Sequence, residues 1–250
     1  MRFNKSLLKT KLKASAIHLG LSLIIFVVLA YQIYYVWYPV PYFSVDGGWQ
    51  GIRLIAAVDL VLGPLITFLI FDLRKNRRAI VFDLIVIALF QASALVYGIA
   101  TTYQQRPVAI VLIDPFVIST VADSYGPQLN SLEDLKQYSS ETPPVIFVDM
   151  ELTREALDKV MRIKLEDKIQ EASQVHLYQP HSMLVKGLES RQQDYLGLVE
   201  RWGAKDILEE WLEQNNKQQA EILIAPFNGR YGVAWLIFDQ EARYQDYLKL

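Results

Sequence analysis

The sequence predicts a membrane protein: three transmembrane α-helices followed by a small α+β domain outside the bilayer. Two contrasts along the chain predict it. Three long apolar runs fill the first hundred residues, whereas the remaining 150 read as an ordinary globular chain. Charge divides at the same place. Residues 1–100 carry ten Lys and Arg against four Asp and Glu, and residues 101–250 carry fifteen against twenty-three. A third observation, the clustering of basic residues on alternate connections, supplies the orientation.

The spans lie at 17–37, 52–71 and 80–100. At 1.5 Å per residue each is about 30 Å long, the thickness of a hydrocarbon core. The first is too long for a signal peptide and has no small-residue cleavage site after it. Tyr31, Tyr34, Tyr35, Trp37 and Tyr38 form an interfacial aromatic belt there instead, so it reads as an uncleaved anchor. Arg2, Lys5, Lys9, Lys11 and Lys13 precede the first span, and Arg74, Lys75, Arg77 and Arg78 fill the link between the second and third. The link between the first and second has neither Lys nor Arg. The N-terminus and the 72–79 link are therefore expected in the cytoplasm, with everything after Ala100 outside, which in a bacterium is the periplasm. This divides the chain into a membrane domain, 1–104, and an outer domain, 105–250.

In the outer domain, 106–114 and 116–122 are β-rich, with Asp114-Pro115 marking a break between them. A short apolar run at 145–149 reads as a buried strand. Thr153 is placed to cap a helix reaching about Ala172, with Leu157, Val160, Met161, Leu165 and Ile169 on one broad face. Residues 174–193 read as a long loop, and 205–215 as another helix burying Ile207, Leu208, Trp211 and Leu212. Asn228-Gly229 between two apolar runs signals a type I′ hairpin turn, and Pro226, which lacks a donor, argues for an edge strand.

Within the spans, Asp59 is the leading candidate, because a mid-membrane acid is costly unless paired, neutral or facing a cavity. Gln91 lies at a similar depth in the antiparallel third span, within reach of an interhelical hydrogen bond. Gly63 shares a face with Asp59 and gives a neighbour room to approach, while Pro64 bends the helix and cannot donate to the Leu60 carbonyl. Three roles follow for the acid: a polar contact inside the bundle, a docking point for another membrane helix, or, with no relay chain to support it, proton conduction. His18 and Asp83 lie at one level near the cytoplasmic side and are expected to pair. Arg53, near the outer end of the second span, is expected to snorkel to head groups or to meet an acid on a partner.

The enzyme chemistry is thin. His176 and His181 are five apart and lack the i,i+4 geometry of helical zinc motifs, and His181-Ser182 has no GxSxG elbow around it. There is no Walker loop, dinucleotide fingerprint or cysteine, so no cofactor is expected. An acidic outer domain is a poor nucleic-acid binder.

The ordered set WYP (37–39), VDLVLGPLITFLIFD (58–72), FDLIVIALFQASALVYG (82–98) and RPV (106–108) resembles the type IV pilin accessory protein family, the TfpX/TfpZ type. The resemblance covers the first 108 residues and matches the outer domain only in size and class. It implies an inner-membrane accessory protein or chaperone that binds and stabilises one type IV pilin subunit and promotes pilus assembly. Its expected partners are that pilin, the lipid bilayer and other pilus-assembly components. Asp59, Gly63 and Pro64 fall at its motif positions, but it supplies no active-site residues. The competing classes are a pilin-modifying membrane enzyme of the glycan-transfer type and a membrane-anchored sensor or binding subunit.

Overall fold

The computed structural model of the protein describes residues 5–72, 74–150 and 152–249; Arg2, counted above with the basic residues, lies outside them. The chain divides into two compact units. One runs to Phe43 and resumes as Gly47–Gln104, and the other consists of Ser44–Asp46 and the chain from Gln105 onward.

The first unit holds three helices long and apolar enough to cross a membrane: α1 (Lys5–Trp37), α2 (Gly48–Ile70) and α3 (Arg77–Gln104). They outrun the expected 17–37, 52–71 and 80–100 mainly at their starts. Apolarity marks the part matched to hydrocarbon, whereas the helix continues into flanking helix formers such as Leu7, Leu8, Lys9 and Lys11. Gly47, at φ 119°, turns the chain into α2 in a conformation that disfavours any side chain. Asn76 Oδ1 accepts the Ala79 N–H at 2.8 Å and caps α3.

Two of these helices contain π turns, Ile33–Trp37 in α1 and Ala57–Leu62 in α2. The second explains how α2 accommodates Pro64. Proline has no N–H, and its ring crowds the carbonyl four residues back. The chain widens just upstream: the Gly63 N–H reaches back five residues to Val58 O, and the helix resumes as Gly63–Ile70 with Pro64 in its first turn. The expected bend at Gly63-Pro64 is thus a π insertion within one helical run, and Asp59 sits inside it.

The second unit is built on a seven-stranded sheet in the order β4-β3-β1-β2-β5-β6-β7. The strands are β1 (Ala109–Ile113), β2 (Phe116–Thr120), β3 (Val145–Val148), β4 (Tyr178–Gln179), β5 (Leu223–Gly229), β6 (Gly232–Phe238) and β7 (Tyr244–Lys249). β1 and β2 form a hairpin whose two-residue turn is Asp114-Pro115. β1 pairs with β3, and β2 with β5, in parallel, while the other pairings are antiparallel. Period-two alternation sends Ala109, Val111, Ile146 and Val148 to one face, where Val160, Leu135 and Tyr125 join them in the core. The helices are α4 (Arg154–Glu166), α5 (His181–Arg201) and α6 (Lys205–Gln214).

Four expectations are corrected here. α4 does begin at a Thr153 cap, whose Oγ1 accepts the Ala156 N–H at 3.3 Å, but it stops at Glu166 rather than near Ala172 because Lys168 takes a left-handed φ of 61°. Residues 174–193 are not one long loop: α5 occupies most of them and buries Leu184, Leu188, Tyr195 and Val199. The hairpin turn falls on Arg230-Tyr231, since Gly229 pairs with Gly232, and neither turn residue has positive φ. β5 is interior rather than an edge strand; its pairing with β2 is the single register pair Val117↔Phe227, so the N–H missing at Pro226 costs little ladder.

The displaced turn has a tertiary cause. Ser44–Asp46 is part of this unit, and Val45 O accepts the Tyr231 N–H at 2.9 Å. Arg230 donates to Asp46 Oδ1 from both its backbone N–H and its Nε at 3.1 Å. Its Nη2 donates to Asp46 O and Gln105 O at 2.6 Å, and its Nη1 to Gln105 Oε1 at 3.0 Å. Asp46 is 0% exposed. One guanidinium therefore joins three stretches of chain.

Candidate functional site

In the first unit, α1 and α3 both pack on α2. Their contact begins as a polar seam on α1. Lys11, Ser15, His18 and Ser22 follow a 4-3-4 spacing that returns to one face of a helix. All four meet α2: Lys11 Nζ donates to Leu69 O at 2.7 Å, and Ser15 Oγ to Pro64 O at 2.8 Å. His18 Nδ1 lies 2.6 Å from Thr67 Oγ1, and Ser22 Oγ donates to Asp59 Oδ1 at 3.0 Å. On the other flank, Gln91 Nε2 of α3 donates to the same Asp59 Oδ1 at 2.6 Å.

Asp59 is therefore the point where all three helices exchange hydrogen bonds, and it is 2% exposed. Gly63 makes the α3 side possible. A Cβ there would overlap the Gln91 amide, 2.6 Å from its Cδ, so only the absence of a side chain lets the amide cross α2 to the acid. Both donors converge on Oδ1. Oδ2 is buried with no hydrogen-bond partner.

Between α1 and α3 an apolar cleft of about 560 Å³ opens over α2. Ile17, Leu21 and Ile25 of α1 form one wall, and Leu84, Ala88 and Leu95 of α3 the other. His18, Ser22, Asp59, Thr67 and Gln91 supply its polar floor.

Apart from His18, the remaining expected residues lie away from this floor. His18 and Asp83 do not pair: Thr67 takes the imidazole, while Asp83 accepts from Lys75 Nζ at 2.5 Å. The link's own lysine reaches the acid, and a buried threonine hydroxyl reaches the histidine. Arg53 is exposed, with its guanidinium 4.9 Å from the Trp49 ring centroid, a cation–π contact. In the 72–76 link, Arg74 forms a forked pair with Asp72 and holds that carboxyl down at about 2. Lys75 also reaches Ile70 O at 3.3 Å, at the negative end of α2. Arg77 and Arg78 instead occupy the first turn of α3, where a helix disfavours cations, so local helix energetics does not explain them. Ser15, Ser22 and Thr67 were missed by sequence reasoning; the 4-3-4 spacing of polar residues through an apolar run is the signal that finds two of them.

The second unit has its own cleft of about 340 Å³, where the ends of β1 and β3 meet α5. Its charges partly close on each other, with Arg191 Nη2 2.5 Å from Asp114 Oδ2. Burial, reinforced by the Asp114 carboxylate, pushes the Tyr195 phenol up to about 12, so it holds its proton. His176 and His181 do not share a site; His181 Nε2 lies 3.0 Å from Glu241 O. Among the described residues no group of His, Asp and Glu is arranged to hold a metal ion.

The chain also matches known proteins. The family model of the fimbrial assembly protein FimB matches residues 6–47, which cover α1 and the connection carrying Asp46. The fimbrial assembly protein of serogroups C1 and C2 of Dichelobacter nodosus is 39% identical over 99 residues, 40% of this chain and 76% of that protein. The serogroup E1 protein of the same organism is 34% identical over 128 residues, half of each chain. The serogroup I protein is 39% identical over 99 residues, 40% of this chain and 38% of its own. The matched region thus spans half or less of the E1 and I proteins, and no solved structure matches. With over two thirds of the C1 and C2 protein covered at that identity, the chain belongs to the fimbrial assembly protein family, an accessory family of type IV pilus assembly.

Proposed function

We propose that this protein is an inner-membrane accessory protein, a chaperone that binds and stabilises a type IV pilin subunit and promotes its assembly. The observation that carries the reading is the helix-flanked cleft with Asp59 at its floor, in a chain of a fimbrial assembly family. The basic residues favour a cytoplasmic N-terminus and 72–79 link, which puts the second unit in the periplasm. A subunit waiting in the membrane offers an apolar helix to the cleft and a soluble head to the outer unit. Two linked contacts gain from effective concentration, so each is weak enough to release the subunit into a fibre. The role is non-enzymatic on this reading.

Deletion and capture test it together. Removing the protein abolishes fibres and lowers pilin abundance while leaving the mass of the remaining pilin unchanged, and the tagged full chain in mild detergent retains pilin. A pilin mass that changes on deletion favours a modifying enzyme instead. Normal fibres and no retained pilin overturn the proposal.

A further inference from the structure

The cleft specifies more than an apolar occupant. Its walls run from Ala14 to Ile25 on α1 and from Leu84 to Leu95 on α3, about 16 Å or three helical turns on each side. Ala14, Ala88 and Ala92 keep parts of both walls low, which lets a helix backbone approach closely. The floor then sets a chemical condition. Asp59 Oδ1 already accepts from Ser22 and Gln91, both neutral donors, whereas Oδ2 is buried and unpartnered. Among the described residues no Lys or Arg lines the cleft. An intramembrane acid with an unpartnered oxygen is costly unless it is protonated or gains a further donor, and the strongest such donor is a cation.

We infer that the cleft receives a single transmembrane helix of a partner subunit that carries one basic group, an amine or guanidinium, to Asp59 Oδ2. The inference rests on the reading of the chain as a pilin-binding membrane protein and names the chemistry of the bound helix. It also fixes a depth. Asp59 lies midway along Gly48–Ile70, about 16 Å from either end by helical rise, so the basic group lies near the middle of the partner helix or at an end that stops there. A helix with only apolar side chains fills the walls and leaves Oδ2 unsatisfied. A lipid chain does the same.

The test is photocrosslinking in intact membranes with the full chain. A photoreactive residue at Ala88 faces the cleft, and one at the neighbouring Leu89, which does not line it, is the control. The Ala88 probe captures a membrane polypeptide that the Leu89 probe does not. Asp59→Asn keeps an acceptor for Ser22 and Gln91 but sets an NH2 where Oδ2 was, so it lowers the adduct about tenfold at unchanged protein level. Asp59→Ala lowers both adduct and protein. Replacing the partner's basic residue lowers the adduct as much as Asp59→Asn does, with no further loss when the two are combined. Adducts to lipid alone, to a second copy of this chain, or at full yield in Asp59→Asn overturn the inference. Mass spectrometry separates the two claims. A basic helix that is not pilin retains the inference and removes the pilin reading, whereas pilin captured only from the outer unit does the reverse.

Discussion

Two aspartates are buried among the described residues, and they meet different partners. Asp46, in the second unit, meets Arg230, whose backbone N–H and Nε both donate to Oδ1 and whose Nη2 donates to the Asp46 carbonyl. Asp59, in the apolar unit, meets only a serine hydroxyl and a glutamine amide. The first is an ion pair drawn from residues 184 apart in sequence. The second is an acid held in place by neutral donors alone. The contrast separates an acid with a cation of its own from one without, although both are almost fully enclosed and each keeps Oδ2 without a hydrogen-bond partner.

The comparison can be broken most forcefully at Arg230. Arg230→Ala leaves Asp46 buried without its cation and frees Gln105 as well, at a cost of about 3–5 kcal/mol to the second unit. Thermal unfolding of the full chain in detergent, read by protease resistance of the second unit, checks it; an unchanged midpoint means Asp46 is hydrated on loss of the arginine. Arg230→Lys recovers only part, because an ammonium cannot reproduce the fork.

A smaller effect sharpens the Asp59 side. Gly63→Ala drives a methyl group into the Gln91 amide and costs about 1–3 kcal/mol. Combining it with Gln91→Ala relieves the overlap and leaves only the lost hydrogen bond, about 0.6 kcal/mol in a membrane bundle. A double mutant less stable than the Gly63→Ala single mutant contradicts the geometry.

The smallest effect contrasts both buried acids with a half-buried one. The Arg74 side chain holds Asp72 at about 2, below the ordinary 3.8. A depressed carboxyl contributes stability above its unfolded value and loses it as pH falls through the folded one, so this pair persists at pH 4 and fails near pH 2. Arg74→Ala raises the Asp72 titration toward 3.8 without disturbing the fold, the backbone N–H at position 74 still holding it somewhat below. A carboxylate-selective spectroscopic titration of the two proteins reads the difference.

The apolar helices were legible because lipid-length hydrophobicity is a strong and local signal. Asp59, Gly63 and Gln91 were legible as a group because polar or missing side chains stand out in an apolar run. The His18–Asp83 pair failed because depth alone does not say which face a residue takes, and Lys75 and Thr67 were nearer partners. α5 was hidden by its composition: Gly187, Gly197 and a run of Ser, Arg and Gln dilute the pattern of Leu184, Leu188, Tyr195 and Val199. The hairpin register was unreadable for a different reason. Asn228-Gly229 is locally the better turn, but a segment from the far end of the chain docks on Arg230-Tyr231 and moves it.

That docking has a consequence for how the protein is made and handled. Val45 and Asp46 leave the ribosome long before the hairpin that binds them, so the outer unit cannot close until nearly all of the chain has been synthesised. A soluble fragment begun at Gln105 lacks a piece of its own interior and loses the Asp46 contacts of Arg230. Anyone wishing to study the head alone must graft the Ser44–Asp46 tripeptide back beside the hairpin or add it as a separate peptide.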